Sequence, residues 1–260
     1  MLDPMPLHYE YTLHTNGRAL WPEHKSLDEV LQLKAVTPDR VFSATWQGMP
    51  TPDGGLVFLR DWWEQAGARY GATELQPHPK GPQIVGRWLS VDTAFKDRED
   101  SDETAILAFE LLADYRGRVR WVETDKLTFP RLPGAIRAAA ERWNEDKLLR
   151  GVLIEDKGSG TSAIQTLQQG EDEWLRHLLI PFIPTTPKEQ RAEQAALWCQ
   201  NQCVQLPTPG EHAPWLVKLQ SDIFSFPSGE HDDITDALSM AILYLEHLLS
   251  DGWRFRNDLR

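Results

Sequence analysis

The sequence RWLSVDTAF at residues 87–95 decides the fold, together with two stretches that follow it, ETAILAFELL at 103–112 and RVRWVETDKL at 118–127. All three are rich in aliphatic, β-branched and aromatic residues, a composition typical of β-strands. Residues 115–117, with the sequence YRG, predict a tight turn between the second and the third stretch. The region therefore predicts three consecutive strands that meander through one sheet.

Downstream of these strands, helix and strand patterns alternate. Helices are predicted at Leu132–Asp146, Ser162–Gln169, Lys188–Gln202 and Asp232–Leu249, and short strands at Gly151–Glu155 and His177–Ile183. This alternation favours an α/β fold in which helices cover both faces of a mixed sheet. With the two downstream strands included, we expect a five-stranded sheet.

The first 85 residues differ from the rest of the chain because they hold nine of its 18 prolines. One short helix is predicted there, at Ser26–Lys34, with Ser26 as its N-cap and Glu29 completing a capping box. We interpret residues 1–85 as a linker segment and residues 86–260 as the principal domain.

Composition and charge limit the possible functions. The chain has 260 residues, 41% of them hydrophobic, which suffices for a large core and excludes disorder as its main state. It shows no run of 18 apolar residues and no secretory signal, so we expect neither a membrane span nor secretion. The net charge of -12 argues against holding nucleic acid by net charge alone, but not against a nuclease with a carboxylate metal site.

Acidic residues occur at three positions where strands and helices would bring them into a site. Asp92 interrupts an apolar strand, where an uncompensated carboxylate is unfavourable by several kcal/mol. Glu155 ends the apolar run VLI, and ligands of α/β sheets bind at the carboxyl ends of strands. Asp232, Asp233 and Asp236 open the last predicted helix, where spacings of three and four residues place side chains on one face.

Carboxylates that converge in this way favour a hard divalent cation, Mg²⁺ or Mn²⁺, over zinc. Two such ions can catalyse phosphodiester hydrolysis. Each acid also fits an ordinary interpretation. Asp232 and Asp233 fit acids at a helix start, Asp92 fits a solvent-facing strand end, and Glu155 fits a surface ion pair.

The stretches around these acids resemble the nuclease domain of tailed-phage large terminases, the motors that package and cut viral DNA. The matching stretches are LSVDTAFK (89–96) with SDETA (101–105), VLIEDKGSG (152–160) and FPSGEHDDITDALS (226–239). Upstream, LWPE (20–23) and QGMP (47–50) resemble the linker that precedes this domain in the same family. The resemblance therefore spans nearly the whole chain.

The resemblance implies a ribonuclease H-like fold, a mixed sheet whose first three strands are antiparallel and which is flanked by helices. It implies an endonuclease that cuts concatemeric viral DNA with two Mg²⁺ or Mn²⁺ ions. By position, Asp92, Glu155 and Asp233 are the implied catalytic and metal-binding residues, with Asp236 and Asp232 as second-tier ligands. The implied partners are double-stranded DNA, the portal protein, the small terminase subunit and a terminase ATPase domain, in the host bacterial cytoplasm.

The chain departs from complete large terminases in one respect. It contains no GxxxxGK[ST] phosphate-binding loop, and the segment before residue 86 is too short for the ATPase domain of that family. We therefore expect no ATP hydrolysis by this chain. Two alternatives remain open: a Holliday-junction resolvase or transposase-like nuclease of the same fold, and a non-catalytic packaging or docking module.

Overall fold

A computed structural model describes residues 25–38, 41–42, 57–72, 83–93 and 103–250 of the chain. The stretches LWPE and QGMP, and the first two residues of SDETA, lie outside the described residues. Ser26 and Glu29 form the predicted capping box, because Ser26 N donates to Glu29 Oε2 at 2.8 Å and Glu29 N donates to Ser26 Oγ at 3.3 Å. None of the described helices combines the length and the apolar character that crossing a membrane requires.

One mixed sheet forms the centre of the molecule. Its strands are β1 (Arg69–Tyr70), β2 (Ile84–Asp92), β3 (Thr104–Leu112), β4 (Gly117–Asp125), β5 (Leu149–Glu155), β6 (Leu179–Phe182) and β7 (Val204–Pro207). They lie in the order β1-β7-β4-β3-β2-β5-β6. β2, β3 and β4 pair antiparallel, and β5 pairs parallel with β2. The predicted α/β class and the antiparallel pairing of the three long strands are thus confirmed.

The predicted number of five strands is wrong, since the described sheet has seven. The two additional strands, β1 and β7, extend the sheet beyond β4 through parallel pairs. β1 has only two residues, too few for an alternating pattern, and the sequence VQLP of β7 was not identified as a strand. A long-range contact supports this edge of the sheet, because Trp63 Nε1 donates to Val204 O at 3.0 Å.

The described helices differ from the prediction mainly at their ends. They are α1 (Leu27–Ala35), α2 (Leu132–Trp143), α3 (Ser159–Gln169), α4 (Glu173–Arg176), α5 (Lys188–Gln200), α6 (Leu216–Ser225) and α7 (Asp233–Ser250). α2 ends before the predicted Asp146, and α3 begins before the predicted Ser162, inside the glycine-rich turn. The sequence pattern did not predict α4 and α6.

Each face of the sheet packs against its own set of helices. α5, α6 and α7 cover one face, here called the α7 face, and α2, α3 and α4 cover the other. Phe58 and Trp63 belong to the core on the α7 face, so part of the predicted linker segment packs into the principal core. Along β2, Trp88 packs on the α7 face, whereas Leu89 and Val91 pack on the opposite face.

A buried group of charges crosses the middle of the sheet. Glu110 on β3 is fully buried, and its Oε1 lies 2.7 Å from Arg87 Nη2. The other oxygen, Oε2, lies 3.2 Å from Arg120 Nη1 on β4. Arg87 also contacts Asp146 at 3.0 Å. Glu110 thus contacts two guanidinium groups in the interior, and Asp146 is a second acidic partner of Arg87.

Candidate functional site

Two of the predicted acids lie at the ends of neighbouring parallel strands. Asp92 is the last residue of β2, and Glu155 is the last residue of β5. Val91 of β2 and Ile154 of β5 are the last residues that pair between the two strands, and each acid is the next residue along its strand. Because parallel neighbours run in the same direction, both carboxylates come to the same edge of the sheet, where ligands of such sheets bind.

Alternation along the strands directs both acids to the α7 face. Ser90, two residues before Asp92, donates from Oγ to Ala237 O of α7 at 2.7 Å. Leu153, two residues before Glu155, belongs to the core on the same face. Side chains two residues apart on a strand point to the same side. Asp92 and Glu155 therefore point toward the beginning of α7.

The beginning of α7 carries the other predicted acids. Asp233 and Asp236 lie in its first turn and are buried, whereas the side chain of Asp232 is 44% exposed. Asp222 of α6 anchors this turn by accepting hydrogen bonds from two backbone N–H groups of α7 at 3.1 and 3.3 Å and from Thr235 Oγ1. Its carboxylate satisfies donors that a helix N-terminus leaves unpaired.

Replacing Asp222 by alanine is expected to lower the free energy of unfolding by about 2 kcal/mol, because buried backbone donors of α7 would lose their acceptor. Urea unfolding monitored by circular dichroism measures this change. Asp222→Asn keeps one acceptor oxygen and should recover part of the loss. Equal stability of the alanine variant and the wild type would contradict the anchoring role.

The acids line one cavity of about 540 Å³. Its walls are the ends of β2 and β5, the loop Pro184–Pro187, and the first turns of α5 and α7. Five carboxylates face this cavity, those of Asp92, Glu155, Asp232, Asp233 and Asp236. Three cationic side chains face it as well, those of Lys157, Lys188 and Arg191. The lining therefore has a formal excess of two negative charges.

Lys188 and Arg191 enter the cavity from the first turn of α5. Lys188 Nζ lies 2.5 Å from Asp232 Oδ1 and 2.7 Å from Asp236 Oδ2. Arg191 Nη2 lies 3.1 Å from Asp236 Oδ1 and 3.7 Å from Glu155 Oε1. Both oxygens of Asp236 are thus paired with cations that the protein itself supplies.

The pKa shifts show how the charges act on one another. Burial raises the pKa of Asp92 well above its usual value, and the carboxylates of Asp236 and Glu155 raise it further. Burial also raises the pKa of Asp236, although Lys188 and Arg191 oppose the shift. Burial by itself would lower the pKa of Lys188, but the carboxylates of Asp236 and Asp232 together outweigh burial and raise it. Asp92 thus lies in a position where a further cation would be stabilising.

The chemistry of the donors fits a hard divalent cation. The three predicted ligands Asp92, Glu155 and Asp233 all offer carboxylate oxygens, the donors that Mg²⁺ and Mn²⁺ prefer. The excess of negative charge in the cavity favours such an ion. In the part of the chain that the structure describes, no three acidic, histidine or cysteine side chains have the spacing of a formed metal centre. The carboxylates are instead paired with the basic side chains of α5.

The glycine-rich turn after β5 holds the end of that strand in place. Gly158 adopts a φ of 56°, which favours glycine, and a Cβ at Gly160 would lie only 1.9 Å from Glu155 O. Ser159 Oγ donates to Thr93 Oγ1 at 3.1 Å, which connects the turn to the residue that follows β2. The turn therefore lets α3 begin directly against the two strand ends that carry acids.

The structure brings all five predicted acids to one cavity, while their roles as ligands stay a prediction. It also places there Lys188 and Arg191, which the sequence analysis did not identify. The sequence did contain one indication of their role. Lys188 and Arg191 both lie in the first turn of a helix, where positive charge is unfavourable because it opposes the helix dipole. That unfavourable position indicates that these side chains have acidic partners. No local signal identified Asp222, whose partners lie 12 and 13 residues away.

The order and direction of the strands in the sheet define the class of protein. Three antiparallel strands, a further strand parallel to the first of them, and helices on both faces constitute a ribonuclease H-like domain. Residues 89–245 match the family described as the terminase RNaseH-like domain. Because this match covers more than half of the chain, the chain belongs to that family. The predicted relationship to terminase nuclease domains is therefore confirmed.

Solved structures with the same fold include two terminases. The large terminase from a thermophilic bacteriophage is 9% identical, with a TM-score of 0.56 over 85% of this chain and 51% of that chain. The human cytomegalovirus terminase nuclease domain, soaked with Mn, is 11% identical, with a TM-score of 0.54 over 75% of this chain and 98% of that chain. The chain thus spans about half the length of the bacteriophage protein. No curated protein matches the sequence.

Proposed function

We propose that this chain is a divalent-metal-dependent endonuclease that cuts concatemeric viral DNA during genome packaging, as the nuclease part of a terminase large subunit. One observation carries the proposal. Five carboxylates from two strand ends and one helix start line a single cavity in a ribonuclease H-like domain of the terminase family. Buried carboxylates repel one another, so their convergence favours a role in holding a cation.

Asp92, Glu155 and Asp233 are the proposed ligands of Mg²⁺ or Mn²⁺. A divalent cation held there supplies Lewis acidity for the attack of water on the phosphodiester and for the departure of the 3′ oxygen. The protein contributes fixed positions for the ligands, because Asp92 and Glu155 end paired strands and Asp233 begins a helix anchored by Asp222. The resemblance to terminases implies two ions, with Asp236 and Asp232 as second-tier ligands.

The substrate is double-stranded DNA, and its delivery depends on partners. With a net charge of -12 and an excess of negative charge in the cavity, the chain repels phosphates until cations are bound. A partner that holds DNA near the cavity raises its effective concentration. We propose that a terminase ATPase domain, the portal protein and the small terminase subunit do this in the host bacterial cytoplasm.

Supercoiled plasmid incubated with the purified chain tests the proposal. We expect nicking and linearisation with Mn²⁺ or Mg²⁺, none with EDTA, and a loss of at least about 10³-fold in Asp233→Ala, because several kcal/mol of transition-state stabilisation depend on the ligands. Glu189→Gln is the matched control, since Glu189 is an exposed acid in the first turn of α5 outside the cavity lining. Its cleavage should equal that of the wild type.

Two results would contradict the proposal. Cleavage that persists unchanged in Asp233→Ala would place the activity elsewhere. A folded chain that binds no divalent cation and cuts no DNA, even with a terminase ATPase subunit present, would favour a packaging or docking module. A preference for four-way junctions over linear duplex in the same assay would favour a resolvase.

A further inference from the structure

The side chain of Glu155, at the end of β5, pairs with Arg191 of α5. Arg191 Nη2 lies 3.7 Å from Glu155 Oε1 and 3.1 Å from Asp236 Oδ1, so one nitrogen lies between an acid of the sheet and an acid of α7. Among the ion pairs of the described residues, this is the one that Glu155 makes, and it involves Oε1 only. The other carboxylate oxygen remains outside the pair, in a side chain that lines the cavity.

Arg191 is itself held in a fixed position. It is 8% exposed, its Nη1 donates to Thr186 O at 3.0 Å, and its Nη2 donates to Asp236 Oδ1 at 3.1 Å. These contacts come from the loop before α5 and from the first turn of α7. Because the donors of a guanidinium group form a rigid planar fork, two such contacts also fix its orientation. Glu155 therefore faces a cation whose position the fold determines.

Two features of Arg191 are unfavourable in themselves. Its Nε is buried and has no hydrogen-bond acceptor among the residues that the structure describes. Its positive charge also lies in the first turn of a helix, where the helix dipole opposes it. A buried donor without an acceptor is destabilising and calls for an explanation. The contact with Glu155 gives this arginine a role that the stability of its own hydrogen bonds does not.

The neighbouring acid makes such a role necessary. Asp92 ends the strand beside Glu155, and the carboxylate of Glu155 contributes to the raised pKa of Asp92. The two carboxylates thus repel each other while no cation lies between them. A carboxylate under this repulsion needs a partner of opposite charge to keep one orientation, and Arg191 is that partner.

We propose that Arg191 is a positioning residue that holds Glu155 in the orientation in which it binds the divalent cation. Asp236 and Thr186 O act on Glu155 indirectly, by fixing the guanidinium group. This inference rests on the proposed function and deepens it. It concerns how one ligand is held, so it applies whether one ion or two are bound. Partners that orient a metal ligand typically change metal affinity by about 10- to 100-fold.

Mn²⁺ binding to the purified chain tests the inference without any DNA cleavage, since the electron paramagnetic resonance signal of free Mn²⁺ gives the Kd. Arg191→Lys keeps the positive charge but loses the planar fork, so it cannot hold Thr186 O and Asp236 while facing Glu155. We expect the Kd to rise by about 10-fold. In a Glu155→Gln background the same substitution should change the Kd by less than about 2-fold, because residues that act through one another are not additive.

Arg137→Lys is the matched control. Arg137 also lies between two acids, with its Nε 3.0 Å from Glu141 and 3.0 Å from Asp172, but it is outside the cavity lining. Its replacement should leave the Kd for Mn²⁺ at the wild-type value. An unchanged Kd in Arg191→Lys would overturn the inference. So would an equal rise with and without Glu155→Gln, because Arg191 would then act by another route.

Arg191→Gln provides a second test if circular dichroism shows that the lysine variant does not fold. Removal of a positive charge by itself strengthens the binding of a divalent cation. Weaker binding by the glutamine variant would therefore support a positioning role, whereas equal or tighter binding would overturn it. A folded wild-type protein that binds no Mn²⁺ would overturn the proposed function itself, which separates the two failures.

Discussion

Replacing Asp92 by asparagine is expected to abolish metal-dependent cleavage and to stabilise the protein in the presence of EDTA. Cleavage should fall by at least about 10³-fold, because asparagine keeps the shape of the side chain but loses the charge that binds a cation. Stability should rise, because the carboxylate of Asp92 is buried beside those of Asp236 and Glu155. Asparagine removes this repulsion.

The pH dependence of stability tests the electrostatic part of this prediction. Burial and neighbouring carboxylates raise the pKa of Asp92 in the folded protein, so the folded state binds a proton more tightly than the unfolded chain does. The contribution of protonated Asp92 to stability is therefore complete below the unfolded pKa of about 3.9 and is lost as pH rises through the higher folded pKa. The difference in Tm between Asp92→Asn and the wild type should accordingly grow from acidic to neutral pH.

Thermal denaturation in EDTA and plasmid cleavage in Mn²⁺ measure the two effects separately. Asp156→Asn is a suitable control, because Asp156 follows Glu155 directly but does not line the cavity, and asparagine can still accept the hydrogen bond from Thr161 Oγ1. Full cleavage by Asp92→Asn would refute its role as a ligand. A lower Tm of this variant at neutral pH in EDTA would refute the account of charge repulsion.

Replacing Glu110 by glutamine is expected to lower the free energy of unfolding by about 3–5 kcal/mol. Glu110 is fully buried and contacts Arg87 at 2.7 Å and Arg120 at 3.2 Å. Glutamine preserves the size of the side chain but removes the negative charge that both guanidinium groups share. Arg120 would lose this carboxylate, and Arg87 would keep only its pair with the partly exposed Asp146. Removing one partner of a buried ion pair is far less favourable than losing an exposed pair.

The exposed pair of Asp114 and Arg116 is the matched control. Their side chains are 46% and 34% exposed and lie 2.6 Å apart. Asp114→Asn should lower the free energy of unfolding by no more than about 1 kcal/mol, because water screens the exposed pair. Urea unfolding of both variants compares the two sites directly. A loss of less than about 1 kcal/mol in Glu110→Gln would show that the buried carboxylate is not needed to balance the two arginines.

The fold was predictable wherever a short stretch of sequence carried its own pattern. Continuous apolar runs identified β3 and β5, and Ser26 with Glu29 identified the start of α1. β1 and β7 were not predicted, because the short stretches RY and VQLP form strands through pairing with neighbours distant in the sequence. The ends of α2 and α3 also shifted, since tertiary packing and the glycine-rich turn decide where these helices stop and start.

The sequence by itself determined which acids could meet. Asp92 and Glu155 end apolar strands, and alternation along a strand fixes the face to which each side chain points. Asp233 and Asp236 share the first turn of a helix whose apolar pattern is unmistakable. These are local properties, set by the periods of strands and helices, and they persist in any fold that pairs β2 with β5.

Only the tertiary structure decided what faces these acids. Lys188 and Arg191 meet Asp236 across about 45 residues of sequence, and Asp222 anchors α7 from another helix. Such contacts depend on how α5, α6 and α7 pack on one face of the sheet, which no short-range pattern encodes. Local sequence patterns therefore predict the carboxylates of the cavity, whereas tertiary packing decides which cations lie beside them. The reason is that the charges of a buried site come together only when segments distant in the sequence pack against one another.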